Sequence, residues 1–321
     1  MAMSISASLL ANASVVPLAL CALAFGLLLN GIDRMLAARL QRRVGPPLLQ
    51  PWFDILKLML KQTMVPAGAP RALFLGLPAV GAASMLLAVA FIPIPGVVRP
   101  AAALGDLLIL LYLLSIPAVV LMLAGSASGS VYGGIGFSRE MSLMLAYEGP
   151  LLLVLASVAI RTGTAQGGFA SFSLDDIVRQ QQEHGAYLLD PWMWPALATY
   201  LLFIPANLGI PPFDIPEAES EILEGPLLEY SGPALALFKI MSTLKTVVVI
   251  GLGVSLFFPV GPDGLPGLLL FLGKCLLLFS IGKTLLRVSV GRMRIDQAFR
   301  FYLKWPELLG VLSLIIVITQ A

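Results

Sequence analysis

Residues Pro211–Gly232, PPFDIPEAESEILEGPLLEYSG, hold Asp214, Glu217, Glu219, Glu221, Glu224 and Glu229, six of the chain's 18 acidic residues within sixteen positions. No lysine or arginine lies between Arg179 and Lys239 to neutralise them from nearby in sequence. Long apolar runs flank the stretch, which sets a dense negative cluster at the edge of a membrane. A charge entering a bilayer is costly and usually marks an ion path or a relay. The plain alternative is a solvated acidic loop. Against it, Pro212, Pro216 and Pro226 interrupt the stretch, and Ile215, Ile222, Leu223, Leu227 and Leu228 are interspersed with the acids. A loop that only meets water has no need of that apolar content.

Outside this stretch the chain is oily. It is 58% hydrophobic and 12% charged over 321 residues, against about 25% charged in a soluble domain. This composition means a polytopic membrane protein, and the net charge of +2 says little about partners. No basic run with interleaved aromatics points to nucleic acid. Cys21 and Cys275 lie in apolar runs and read as inert thiols, and the single histidine, His184, sits among polar residues and reads as incidental. There is no CxxC pair, so a recognised ligand set for an iron–sulfur cluster, a nickel site or a haem is lacking, and redox chemistry belongs to other subunits. The opening MAMSISAS has no positive n-region, so the first apolar run is expected to be kept as a helix.

About 20 apolar residues span a bilayer as a helix. Eight such spans are expected, near 12–34, 72–93, 104–124, 140–160, 191–210, 232–258, 264–286 and 303–320. The expected fold is all-α: one polytopic transmembrane domain over 1–321. The absence of a fixed-period repeat speaks against a secondary transporter. Arg39, Arg42, Arg43, Lys57, Lys61 and Arg71 crowd the first loop, and Arg287, Arg292, Arg294, Arg300 and Lys304 the seventh, while the fourth carries Asp175, Asp176, Glu183 and Asp190 against Arg179. The positive-inside rule then puts the odd loops in the cytoplasm and both termini outside. The cytoplasmic segments 37–71, 125–139, 211–231 and 287–302 form a charged face suited to docking another protein. In the first loop, Pro51 suits a helix start. Phe53, Leu56, Leu60 and Met64 fall near one face, with Asp54, Lys57 and Lys61 on another. This is either a short interfacial helix or an ordinary amphipathic connector.

Glu148 stands inside the apolar run Met141–Ile160, about 12 Å along a helix from Glu140. Partial desolvation there favours its protonated form, as a proton relay needs; a structural carboxylate bonded to a neighbouring helix is the alternative. Lys245 and Lys274 are the deeper basic counterparts, whereas Lys283 is placed to snorkel to the surface.

Four motifs, RLQRRVGPPLLQPWFDILKL (39–58), GFSREMSLMLAYEGPLLL (136–153), PFDIPEAESEILEGPLLEYSG (212–232) and RMRIDQAFRFYLKWPELL (292–309), together resemble the membrane subunit that joins the redox arm of respiratory complex I to its membrane arm. They resemble still more closely its relative in the group 4 energy-converting [NiFe] hydrogenases, including the formate hydrogenlyase type. GDLLILLYL (105–113), Ser138-Arg139-Glu140 and EGPLLEYSG favour that branch, and Gly225-Pro226-Leu227 departs from the quinone-reducing pattern. The resemblance implies eight transmembrane helices and an acidic loop beneath the redox subunits. In complex I relatives it implies much of a quinone cavity and the start of an acidic, hydrated axis.

Carried over by residue, the resemblance assigns Glu148 to the Tyr-Glu motif, Asp214, Glu217, Glu219 and Glu221 to the PFD-PEAE motif, Glu229 to Glu-Tyr-Ser-Gly, and Arg294 and Asp296 to the Arg-x-Asp motif. With the charges read above, the expected proton path is Glu148, Glu219, Glu229, Glu140, Lys245 and Lys274. The coupling loop is Asp214, Glu217, Glu221 and Glu224, and the redox arm docks on Arg42, Arg43, Arg139, Arg294 and Asp296. The [NiFe] centre and iron–sulfur clusters are expected in partner subunits: hydrogenase large and small subunits, electron-transfer subunits and antiporter-like membrane subunits, in the cell inner membrane with its lipids. Proton or sodium translocation coupled to hydrogen evolution is the leading function. A quinone-binding subunit, a passive anchor and an independent transporter are the alternatives.

Overall fold

A backbone inside a bilayer must satisfy its own N–H and C=O groups, so long apolar runs become helices. The computed structural model describes residues 2–94, 107–262 and 264–320, with side chains described throughout except at 2–16, 219 and 220. The start of the third expected span, with Gly105 and Asp106, lies outside the described residues, as does the side chain of Glu219. The helices are α1 (Ala2–Leu40), α2 (Gln50–Met59), α3 (Arg71–Val89), α4 (Leu107–Ala127), α5 (Val131–Ala165), α6 (Leu174–His184), α7 (Trp194–Asn207), α8 (Glu219–Ile222), α9 (Gly232–Phe257), α10 (Leu265–Phe279), α11 (Leu286–Ser289) and α12 (Ile295–Gln320). No strand forms among the described residues.

Seven described segments are long and apolar enough to cross a membrane: Pro17–Leu40, Arg71–Val89, Leu107–Ala127, Val131–Ala165, Gly232–Phe257, Leu265–Ser289 and Ile295–Gln320. The run expected to span at 191–210 instead gives α7, only 14 residues long, about 21 Å against a hydrocarbon core of about 30 Å. Its ends are fixed by chemistry. The Asp190 carboxylate accepts from Trp192 N–H beside Pro191, and at the far end Gly209 turns the chain at φ +60 before Pro211-Pro212. Elsewhere the helices outrun the apolar runs. α5 starts at Val131, so most of 125–139 is helix and the turn there shrinks to the residues around Gly129, at φ +68. α12 starts at Ile295, so Asp296, Arg300 and Lys304 ride on its first turns rather than in a loop.

α9 is the axle of the bundle, packed against α1, α2, α3 and α10, and buried over nearly all its length. Small residues permit the close approach: a Cβ on Gly26 of α1 would lie 2.7 Å from Thr243 Cγ2, and one on Gly253 would lie 2.6 Å from the Tyr200 ring. Tyr200 donates to Val249 O at 2.7 Å and Tyr302 donates to Leu202 O at 2.6 Å, tying α7 to α9 and to α12. Between α10 and α11 the helix widens into a π-turn, Ser280–Leu285, a local winding often found at functional positions.

One end of the bundle gathers the charged segments. Arg292 pairs with Asp214, Arg139 with Glu221 and Arg34 with Asp54. Met293 N–H donates to Pro212 O at 3.0 Å, and Met64 N–H donates to Ser231 Oγ at 3.1 Å. The first, fifth and seventh loops therefore meet, as their charges lead one to expect. The opposite end is capped by α6: Gln181 donates to the carbonyls of Ser255 and Leu256 and accepts from Tyr187 N–H.

Candidate ion path and docking face

The acidic loop is pinned from both sides. Leu223, Glu224 and Gly225 turn consecutively through positive φ (52, 67 and 47). Only glycine adopts this region without strain, and Gly225 has a second reason: a Cβ there would sit 2.5 Å from Pro216 O. The next residue, Pro226, presses its ring onto the α5 backbone where a Cβ on Gly136 would lie 2.5 Å from Cδ. At the far end of the loop the Tyr230 ring stacks on Phe74, centroids 4.0 Å apart and nearly parallel.

Behind the loop lies a cavity of about 480 Å³ between α1, α2, α9 and the π-turn. Its wall carries the acids Asp33, Asp54, Asp214 and Glu217 and the bases Arg34, Lys239, Lys283, Arg287 and Arg292. Asp33, 2% exposed, accepts from Thr284 Oγ1 and from Arg287, both at 2.8 Å. Lys283 donates to Asn30 Oδ1 at 2.9 Å, and Asn30 Nδ2 donates to Thr243 Oγ1 at 3.3 Å. Burial pushes Asp54 upward, but hydrogen bonds from Arg34 and Gln50 outweigh it and hold the carboxyl below its usual range. Small-molecule pockets are lined mostly by apolar side chains with a few polar ones. Here nine of the nineteen lining residues are ionisable, a lining suited to water and small ions.

Glu217 stands at the inner edge of this chamber. Burial, then the nearby Glu140 carboxylate, raise its pKa from 4.5 to about 7 against the opposing pull of Lys245. Glu140 on α5 and Lys245 on α9 are 7% and 6% exposed. They feel each other and Glu217 electrostatically, yet make no ion pair within 4.0 Å. Farther along α5, the buried Tyr147 hydroxyl interacts with the side chain of Asn207 at the end of α7. Beyond Tyr147, Glu148 accepts from Ser115 Oγ of α4 at 2.6 Å.

The structure thus brings together Glu217, Glu140 and Lys245, with Asp214 on the chamber wall and Glu148 deeper along α5. Glu221 is held by Arg139, Glu224 is exposed and Glu229 is half-buried. Arg42, Arg43, Arg294 and Asp296 are exposed at the charged end. Lys274 does not join them. It donates to Phe258 O at 2.8 Å and to Val260 O, capping the end of α9 remote from the acidic loop. Lys283 does not snorkel; the π-turn swings it inward, where it is 9% exposed. Asn30, Asp33, Lys283 and Arg287 were missed as site residues. For the first two a signal existed: Asn30, Asp33 and Arg34 recur at helical spacing at the end of the first apolar run. Among the described residues no group of three His, Cys, Asp or Glu is placed to hold a metal ion.

Residues 13–318 match the family described as NADH dehydrogenase. The chain belongs to that family. Among its relatives is hydrogenase-4 component C of Escherichia coli (strain K12), 36% identical over 240 residues, covering 73% of this chain and 71% of the relative. Another is one of the subunits of the NADH-quinone oxidoreductase of Ralstonia pickettii (strain 12J), 32% identical over 276 residues, with 80% and 75% covered. Among solved structures, a chain of the membrane-bound sulfane sulfur reductase, an archaeal respiratory membrane complex, superposes with a TM-score of 0.87 at 28% identity, covering 96% of this chain and 99% of that one. Within the NADH dehydrogenase family, this chain is a multi-pass membrane subunit of the respiratory-complex type.

Proposed function

We propose that this chain couples electron transfer in a docked [NiFe] hydrogenase to proton or sodium movement through the membrane. The observation that carries this reading is the continuity of ionisable groups from the charged chamber through Glu217 to Glu140 and Lys245, inside an otherwise apolar bundle. The higher identity to hydrogenase-4 component C supports the hydrogenase branch. In this reading the redox arm sits on the cytoplasmic face formed by Arg42, Arg43, Arg139, Arg294, Asp296 and the acidic loop. The [NiFe] centre and iron–sulfur clusters are held by large, small and electron-transfer subunits, and antiporter-like subunits lie alongside in the inner membrane. α7 counts as an eighth, short span, α2 lies along the interface, and both termini are outside. The acidic loop is the element the redox step biases, because coupling requires a two-state element that both sites touch. Exchanging Glu148 for Gln in the assembled complex is the test. A lower ratio of ions moved per electron is expected, and an undiminished ratio contradicts the role.

A quinone-reducing role is the second reading, favoured by the similarity to the NADH-quinone oxidoreductase relative. It predicts inhibition by quinone-site compounds and a quinone retained on purification. The charge density of the chamber wall supports the first reading over it.

A further inference from the structure

The charges on the chamber wall do not balance. Five bases and four acids line it. Three of the acids are matched one to one with arginines: Asp33 with Arg287, Asp54 with Arg34 and Asp214 with Arg292. The fourth, Glu217, has a pKa of about 7, so it carries only part of a charge near neutral pH. Lys239 and Lys283 remain, and among the described residues neither forms an ion pair within 4.0 Å. Each feels the field of a nearby acid, Asp54 and Asp33 respectively, but an arginine already holds that acid. The wall therefore carries an excess of positive charge.

Lys283 is the deeper of the two, carried inward by the π-turn to 9% exposure. An ammonium has three N–H donors. One goes to Asn30 Oδ1 at 2.9 Å, and the Phe279 ring, 5.1 Å away, faces the charge without neutralising it. Asn30 Nδ2 donates to Thr243 Oγ1 at 3.3 Å, and Thr243 Oγ1 donates to the Lys239 carbonyl at 2.7 Å. This hydrogen-bonded chain ties Lys283 to the turn of α9 that bears Lys239 and Ser242. Both of those residues are exposed, and both line the same cavity as Lys283.

We propose that the chamber binds a phosphate group, held by Lys283 of the π-turn together with Lys239 and Ser242 of α9. Lysine binds phosphate as a point charge, and a buried ammonium without a counter-charge is costly. A phosphate supplies that counter-charge and accepts the N–H groups that Asn30 leaves over. The cavity, about 480 Å³, falls within the range of about 300–1,000 Å³ of ligand pockets and has room for more than the phosphate itself. Leu27, Ile55, Leu208 and Ile210 offer apolar contacts beside the charges, whereas no aromatic side chain is among the described lining residues, so a quinone ring finds nothing to stack on. Free phosphate and the phosphate of a lipid headgroup share the chemistry that this wall recognises. The site stands whether or not ions cross the bundle.

The test uses the intact complex in detergent, as wild type, Lys283→Met, Lys239→Met and Lys239→Arg. Two readouts separate the sources. Native mass spectrometry counts retained phospholipid before and after an extended detergent wash. The unfolding midpoint of the washed complex is then followed as inorganic phosphate replaces chloride at fixed ionic strength. A free-phosphate site is expected to raise the wild-type midpoint saturably, with half-saturation about tenfold higher in both methionine variants and close to wild type in Lys239→Arg. A headgroup site is expected to show as a phospholipid that unwashed wild type and Lys239→Arg retain and both methionine variants lose. If Lys283→Met does not assemble, Lys239→Met against Lys239→Arg decides. Equal phosphate responses and equal lipid counts in all forms, including no response in any, overturn the site. A quinone retained in place of phosphate or phospholipid overturns it too and returns the chamber to the quinone-reducing reading.

Discussion

Arg287 donates to Asp33 at 2.8 Å, closing the chamber wall between residues 254 positions apart in the chain. Asp33 is nearly inaccessible while Arg287 remains about two-fifths exposed. Removing one partner of a fully buried pair costs about 3–5 kcal/mol, and the exposed side of Arg287 reduces that here. Asp33→Ala is expected to destabilise the protein by about 2 kcal/mol. Asp33→Asn, which keeps an acceptor for Thr284, is expected to cost less. Thermal unfolding of the purified complex measures both.

Glu217 supplies a pH signature. Its folded-state pKa is raised from 4.5 to about 7. Between those values the folded protein holds a proton that the unfolded chain has lost. Stability from this group therefore falls as pH rises through that window and levels off above it. Glu217→Gln is expected to flatten that slope. Unfolding midpoints measured across the window, wild type against variant, check the sign; an identical slope in both contradicts it.

The Pro226 contact fixes the acidic loop on α5. Gly136→Val places methyl groups where the Pro226 ring stands, 2.5 Å from the position of the first added carbon. Overpacking of this kind costs about 1–3 kcal/mol. The loop is expected to lift, with the Arg139–Glu221 pair lost and cleavage by added protease within 219–228 made several-fold faster.

Lys274 separates structural from functional lysines. Its ammonium satisfies the carbonyls of Phe258 and Val260 at the end far from the chamber. Lys274→Met is expected to lower stability by about 1–3 kcal/mol, through two unsatisfied carbonyls, and to leave the ion ratio per electron unchanged. Lys245→Met is expected to do the reverse.

The apolar runs made the helices legible, because a bilayer admits almost no other backbone solution. Their ends were less so. α5 begins nine residues before Glu140, since Gly133, Gly134 and Gly136 look like a loop in sequence but are helical, Gly136 making room for Pro226 and Gly133 for the backbone of Gly125. α7 is short because the proline and glycine after Asn207 turn the chain inward. The acidic loop announced itself by charge density, and Glu140, Glu148 and Lys245 by charge within oil. Asp33 and Asn30 were hidden because they sit where a span's end and a loop's start look alike. Lys283 was hidden by the π-turn, a winding that no residue pattern in Ser280–Leu285 signals. Lys274 was misplaced because depth in an apolar run does not say which end of the bundle a side chain serves.

The continuity of the path through the bundle rests on the Glu140 carboxylate. The most direct measurement is the number of ions moved per electron by the intact complex carrying Glu140→Gln, in sealed vesicles, with hydrogen turnover followed at the same time. A complex that still assembles and turns over but moves at least twofold fewer ions per electron is the result expected. An unaltered ratio in a fully assembled Glu140→Gln complex would show that ions take a route that bypasses the buried charges between the acidic loop and the membrane interior.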